Sequence, residues 1–177
     1  AYLELSDTGL KANTMAPLVK VRKNMIVSRT FSKAHGMAGL RAGYGVAQPE
    51  VLANLRKYYT GGPSFLAAIA AQEAIKDTAH MEANRKNYKE VRDYVCKEFD
   101  RLGIKYAAPQ GAFVYFKAGM PGADLVAKMR EAGVFISGSR ESGVPEGAYG
   151  EWARVSIGTK EEMDMFLTEF ARVIGKT

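Results

Sequence analysis

The chain has 177 residues, of which 47% are hydrophobic and 25% are charged, as in globular proteins with one substantial core or two small ones. The lysines and arginines behind its formal net charge of +6 are spread along the chain, so the sequence does not predict nucleic-acid binding. No apolar run approaches the ~18 residues that a membrane helix needs. Two histidines and one cysteine provide no zinc-ligand spacing, so no metal is expected.

The first part of the chain predicts short strands followed by helices. Residues 1–5, AYLEL, have the character of a buried strand end, and residues 24–29 and 41–47 are further predicted strands. Proline at the start and helical apolar spacing predict a helix over 49–59. Residues 64–76 are apolar nearly all round, which predicts a well-buried helix.

The second part has a different character. A long amphipathic helix is predicted over 79–102, ended by Gly103. Strands are predicted at IKYAAP, AFVYFKA, VFIS and WARVSIG, with a helix over 122–133 between them. Thr159 and Glu162 have the spacing of a capping box at the start of the last helix.

This order predicts an α/β protein in three parts. Residues 1–77 form the end of an α/β layer, residues 78–102 a bridging long helix, and residues 103–177 a small α+β domain. Because the chain starts without methionine in what resembles a strand end, we expect it to be a fragment of a longer protein. The single cysteine, Cys96, cannot form an intramolecular disulfide, which favours a reducing compartment.

The segment SRTFSKAHGMAGLRAGYG, residues 28–45, is the strongest functional signal. Hydroxyls at Thr30 and Ser32, nearby glycines and the guanidinium of Arg41 would together suit a phosphate group. Lys33 could then be a simple counter-charge, or it could be a nucleophilic amine that forms a Schiff base. The segment is not a Walker loop, since its glycines follow the lysine, and it contains no G-x-G-x-x-G.

These residues resemble the lysine segment of fold-type I pyridoxal-phosphate enzymes, the class I/II aminotransferases. The likeness is greatest to the histidinol-phosphate aminotransferase branch, whose pattern is S/T-x-S-K-x-x-x-x-x-G-x-R. The resemblance implies that Lys33 carries pyridoxal 5'-phosphate as a Schiff base. It also implies that Thr30, Ser32 and Arg41 hold the cofactor phosphate. AYLEL is similar to the end of the family's D-E-A-Y strand, which implies that Tyr2 hydrogen-bonds the phenolic oxygen of the cofactor.

The resemblance continues into the second part of the chain. PQGAFVYF is similar to a small-domain strand of the family, and ARVSIGTKEEMDMFLTEF to its C-terminal segment, which implies that Arg154 binds the substrate α-carboxylate. The histidinol-phosphate branch often has an arginine where this chain has Ser137, and Arg140 stands three residues further on. The sequence therefore leaves the substrate open.

The resemblance covers essentially the whole chain as roughly the C-terminal half of such an enzyme. It implies the end of a large domain with a mixed, mostly parallel sheet, joined to a small α+β domain. The implied activity is transamination between an amino acid and a 2-oxo acid by a cytoplasmic homodimer, and we expect this chain alone to bind cofactor weakly and to be inactive. A pyridoxal-phosphate decarboxylase or lyase of the same fold, or a non-catalytic binding module, remain alternatives.

Overall fold

A computed structural model describes residues 1–62, 64–138 and 150–176. The chain divides into two compact units, Ala1–Lys86 and Asn87–Thr177. Helices and antiparallel strands occur in both units, so the predicted mixed α/β class is confirmed. No helix of the described residues combines the length and apolar character that crossing a membrane requires.

Short helices and one two-stranded ribbon build the first unit. Its elements in chain order are a 3-10 helix at Leu3–Leu5, α1 (Gly9–Asn13), a 3-10 helix at Ala16–Lys20, β1 (Ile26–Thr30), a 3-10 helix at Ala38–Leu40, β2 (Gly43–Ala47), α2 (Pro49–Arg56), α3 (Phe65–Lys76) and the start of α4 (Thr78–Leu102). Two predicted strands and three predicted helices are thus present, with bounds shifted by a few residues.

The strand predicted at residues 1–5 is wrong. Leu3–Leu5 is one turn of 3-10 helix, in which the Leu5 amide donates to the Tyr2 carbonyl at 3.0 Å. The Leu5 side chain is fully buried, and the Ser6 hydroxyl closes the turn by donating to the Leu3 carbonyl at 2.8 Å. An apolar run this short is compatible with a buried strand and with a buried helical turn, so the sequence does not distinguish the two.

Strands β1 and β2 pair antiparallel, from Ile26 opposite Ala47 to Thr30 opposite Gly43. A mostly parallel sheet was expected here, whereas the strands of the described residues pair antiparallel in both units. Parallel neighbours need a crossover of about a dozen residues or more, usually an α-helix. Between β1 and β2 the chain instead forms a turn and the short 3-10 helix Ala38–Leu40, and it runs back along β1.

Helix α3 has its predicted position but not its predicted burial. Of its residues Ala67 is buried, whereas Phe65 is 78% and Leu66 72% exposed. Ile69 and Ile75 are exposed as well. An apolar surface all round a helix predicts burial only if other segments cover every side. The described residues of the first unit leave most of this helix uncovered.

The second unit is a four-stranded antiparallel sheet with helices. After the remainder of α4 it contains β3 (Lys105–Tyr106), β4 (Phe113–Lys117), α5 (Gly122–Glu131), β5 (Ser137–Gly138), β6 (Trp152–Ser156) and α6 (Lys160–Val173). The strand order is β3-β4-β6-β5. The strand predicted at VFIS is mostly wrong, because pairing with β6 begins only at its last residue, Ser137.

One hydrophobic cluster from α4, α5, α6 and the sheet forms the core of the second unit. Its centre is aromatic: the Phe99 ring centroid lies 4.9 Å from that of Phe116 and 5.7 Å from that of Phe170. The predicted capping box is confirmed at the start of α6. The Glu162 amide donates to Thr159 Oγ1 at 3.2 Å, and the Thr159 amide donates to Glu162 Oε2 at 2.7 Å.

Helix α4 runs across the boundary between the two units, which lies after Lys86. It ends before Gly103, whose φ of 63° stops the helix in the left-handed region, as predicted. The division of the complete protein into parts 1–77, 78–102 and 103–177 stays a prediction.

Candidate functional site

Lys33 lies in the turn that follows β1, with its side chain exposed. The Gly36 amide donates to the Lys33 carbonyl at 2.9 Å, and the Met37 amide donates to the Phe31 carbonyl at 3.0 Å. Gly36 has a φ of 69°, which glycine adopts without steric cost. This closed turn leaves the Lys33 amine accessible to a small molecule.

The Lys33 amine lies over the ring of Tyr2, with Nζ 5.6 Å from the ring centroid. Tyr2 is partly buried and immediately precedes the 3-10 turn at Leu3–Leu5. The fold therefore brings together two predicted site residues that lie far apart in the sequence. A lysine ammonium at this distance is attracted to the face of the ring, so Tyr2 helps to orient the Lys33 side chain.

Thr30 and Ser32 form a pair of adjacent hydroxyls at the end of β1. Residues two apart lie on the same face of extended chain, and here Thr30 Oγ1 donates to Ser32 Oγ at 2.9 Å. The Ser32 amide donates to Thr30 Oγ1 at 3.1 Å. Both side chains are partly exposed, so the pair can donate hydrogen bonds to an anion next to Lys33.

Arg41 is exposed and lies just before β2 in the left-handed region, with φ 53° and ψ 46°. It is the one residue other than glycine with a positive φ within 1–62, 64–138 and 150–176. The Phe31 amide donates to the Ala42 carbonyl at 3.1 Å, which continues the hydrogen bonding of the ribbon up to the residue after Arg41. Its guanidinium donates to the Ala38 carbonyl at 2.8 Å. Backbone conformations of this kind cluster at ligand sites.

Sequence reasoning missed a buried ion pair beside these residues. Arg29 on β1 donates to the carboxylate of Glu4, and the side chains are only 5% and 8% exposed. Charged side chains are buried in proteins almost only when they are paired. The available signal was a glutamate between two leucines and an arginine inside an apolar strand.

His35 packs against the Phe31 ring, with centroids 5.0 Å apart. Burial lowers its pKa below the ordinary histidine value, and the nearby Glu4 carboxylate opposes this shift. His35 and Glu4 line a cleft of about 350 Å³ together with Tyr44 and Arg85. Thr30 of the hydroxyl pair also lines this cleft, whereas Lys33 does not.

In the second unit, Arg154 lies on β6, opposite Tyr115 of β4 and Ser137 of β5. Its guanidinium carbon is 5.5 Å from the Phe113 ring centroid, and its Nη2 donates to Ser137 Oγ at 3.5 Å. Its Nε is buried and has no hydrogen-bond partner among the residues that the structure describes. A buried guanidinium nitrogen without an acceptor is costly, and a ligand carboxylate would satisfy it.

The structure thus places the predicted residues in two groups. Tyr2, Thr30, Ser32, Lys33 and Arg41 belong to the first unit, and Arg154 belongs to the second. Arg140, which stands three residues after Ser137, lies outside the described residues.

Comparison with known proteins identifies the class. The family model described as aminotransferase class I and II matches residues 1–170. The chain therefore belongs to the class I and II aminotransferase family.

Two individual relatives of this chain are named histidinol-phosphate aminotransferases. The chain is 35% identical to the histidinol-phosphate aminotransferase of Symbiobacterium thermophilum, over 99% of this chain and 47% of that protein. It is 32% identical to the histidinol-phosphate aminotransferase of Moorella thermoacetica, over 98% of this chain and 44% of that protein. The chain spans about half the length of the curated relatives it matches.

A solved structure supports the same likeness. The histidinol-phosphate aminotransferase from Sinorhizobium meliloti in complex with pyridoxal-5'-phosphate superimposes with a TM-score of 0.77 at 25% identity, covering 86% of this chain and 42% of that one. The predicted family and fold class are confirmed.

Proposed function

We propose that this chain is part of a pyridoxal-phosphate-dependent aminotransferase that transfers an amino group between an amino acid and a 2-oxo acid. The observation that carries the proposal is the position of the Lys33 amine over Tyr2, directly after the Thr30–Ser32 hydroxyl pair. Family membership and the pyridoxal phosphate bound by the Sinorhizobium relative support it.

The residues of the first unit fit this cofactor. The exposed Lys33 amine would hold the cofactor covalently at its aldehyde carbon, with release of one water molecule. Thr30, Ser32 and Arg41 offer hydroxyl and guanidinium donors to its phosphate, and Tyr2 offers a phenol beside the amine. When bound, pyridoxal phosphate supplies the electron sink that stabilises negative charge on the substrate α-carbon.

Side chains of this chain would supply proton transfer and substrate orientation. The Lys33 amine would take a proton from the substrate α-carbon and would deliver it to the carbon that was the cofactor aldehyde. In the second unit, Arg154 would orient the substrate α-carboxylate. The unsatisfied Nε of Arg154 supports this role, because Nε and Nη2 can grip a carboxylate through two parallel hydrogen bonds.

The identity of the substrate is a separate part of the proposal. Relatives named histidinol-phosphate aminotransferases make histidinol phosphate the first compound to test. Ser137, which lies beside Arg154, is uncharged and gives no salt bridge to a substrate phosphate. We further propose that the complete enzyme is a cytoplasmic homodimer that is longer than this chain, which alone binds cofactor weakly.

Replacement of Lys33 tests the proposal. In the full-length protein, Lys33→Ala should abolish the visible absorption of bound pyridoxal phosphate and the amino transfer. Borohydride reduction of the wild type should fix the cofactor mass on the peptide that contains Lys33. Lys57→Ala is the matched control, because Lys57 is an exposed lysine of the same unit. Labelling of another lysine, or an unchanged spectrum in Lys33→Ala, would refute the proposal.

A further inference from the structure

Two charged residues flank the candidate cofactor site without belonging to the set predicted from the sequence. Glu4 follows Tyr2 by two positions, and Arg29 immediately precedes Thr30 and lies four positions before Lys33. Their ion pair joins segments that are 25 residues apart in the chain. The pair therefore ties the segment that carries Tyr2 to the strand that leads to Lys33.

We propose that the Glu4–Arg29 ion pair positions the candidate cofactor site by holding the Tyr2 ring against the Lys33 amine. Glu4 and Arg29 are positioning residues, since both are buried and act through the segments that carry Tyr2 and Lys33. This inference rests on the proposed function.

Burial is the first argument. With side chains 8% and 5% exposed, the pair has little solvent screening, so separating the two charges is strongly unfavourable. A charged hydrogen bond is also directional, whereas the apolar burial of the neighbouring Leu5 is not. The ion pair therefore fixes the orientation of the 3-10 turn. The burial of Leu5 contributes mainly to holding the turn against the first unit.

The local backbone is the second argument. Tyr2 immediately precedes the 3-10 turn, and its carbonyl accepts from the Leu5 amide at 3.0 Å. At the end of β1 and just after it, Arg29 and Phe31 are buried, while Thr30 and Ser32 are partly exposed. The ion pair thus holds the strand from its buried side, and the hydroxyl pair lies on the opposite side.

A double-mutant cycle between Glu4 and Tyr2 tests the coupling. In the full-length protein, Glu4→Gln, Tyr2→Phe and the double variant are compared for the dissociation constant of pyridoxal phosphate and for the pH at which its visible band changes. Misplacement of a positioned group has large effects on a site, and we expect Glu4→Gln to weaken binding by roughly tenfold. We expect it to shift the band in the same direction as Tyr2→Phe, with little further change in the double variant.

Two further variants complete the design. Glu73→Gln breaks the exposed Glu73–Lys76 pair of the same unit and should change neither quantity. If Glu4→Gln does not fold, Arg29→Lys takes its place in the cycle, because lysine keeps the charge and loses the planar fork of donors. Arg29→Lys should weaken binding less than Glu4→Gln and should also be non-additive with Tyr2→Phe.

Separate results decide the two proposals. If Glu4→Gln lowers the unfolding temperature but leaves cofactor affinity and band unchanged, or if its effects add to those of Tyr2→Phe, the ion pair is merely structural and the inference fails. If Lys33→Ala leaves the cofactor bound with an unchanged spectrum, the proposed function itself fails.

Discussion

Replacing Phe99 by alanine should destabilise the second unit more than any surface change. The ring is fully buried and lies within 4.9 to 6.2 Å, centroid to centroid, of four other aromatic rings. Deleting a buried phenylalanine costs about 3–5 kcal/mol, and lost ring pairs place Phe99 in the upper half of that range. We therefore expect a loss of about 4 kcal/mol in the free energy of unfolding.

Trp152 makes this loss measurable. It is the single tryptophan of the chain and lies on β6, so its fluorescence during urea unfolding reports on the second unit. With a slope of about 1.5 kcal/mol per molar urea, a loss of about 4 kcal/mol lowers the midpoint by between 2 and 3 M, roughly. Phe99→Leu should lower the midpoint by less, and it keeps the measurement possible if the alanine variant is already unfolded.

Phe65→Ala is the matched control in the 177-residue chain. Phe65 begins α3 in the first unit and is 78% exposed, so its truncation should change the free energy of unfolding by no more than about 0.5 kcal/mol. Equal midpoints for Phe99→Ala and Phe65→Ala would refute the reasoning, because the aromatic cluster would then not stabilise the unit.

Three further predictions concern single side chains. Thr159→Ala should lower the urea midpoint by the equivalent of about 1 kcal/mol through loss of the cap on α6, whereas Thr159→Ser should not. Partial burial, with a smaller contribution from the hydrogen bond to Asp100, raises the pKa of Tyr106 to about 12 from 10.0. The protonated phenol is thus favoured in the fold, so its stabilisation is complete below pH 10.0 and is lost as the pH rises through about 12. Across that pH range the urea midpoint should fall less in Tyr106→Phe than in the wild type. An equal fall in both proteins would contradict this prediction. Arg41→Gly should leave the unfolding free energy within about 0.5 kcal/mol, because relief of the left-handed strain offsets the added backbone freedom. We expect inorganic phosphate to raise the unfolding temperature of the wild type and not that of Arg41→Gly, and an equal rise in both proteins would argue against the role of Arg41.

The helices were predictable because their signals are local. The capping box of Thr159 and Glu162, the proline at the start of α2 and the glycine after α4 each act within one helical turn. The family was predictable for a similar reason, since Thr30, Ser32, Lys33 and Arg41 lie within one short segment. Their roles, with those of Tyr2 and Arg154, stay predictions.

The remaining features depend on partners that are distant in the sequence. The Glu4–Arg29 pair needs a contact between segments 25 residues apart, which no periodicity encodes. The burial of α3 depends on which segments cover it, and apolar composition alone does not supply them. The 3-10 turn at Leu3–Leu5 competes with a strand on equal apolar evidence, and the buried Glu4 side chain is satisfied in that turn by Arg29.

Strand β1 has a consequence for how this protein can change. At its end and in the two residues that follow it, alternate positions serve opposite purposes: Arg29 and Phe31 are buried, whereas Thr30 and Ser32 bear the hydroxyl pair. Inserting or deleting one residue here would interchange the two sets, sending hydroxyls into the interior and a guanidinium outward. Single substitutions can therefore accumulate along this strand, whereas insertions and deletions cannot. Efforts to diversify the protein by varying segment length should begin elsewhere, such as the turn that joins β4 to α5.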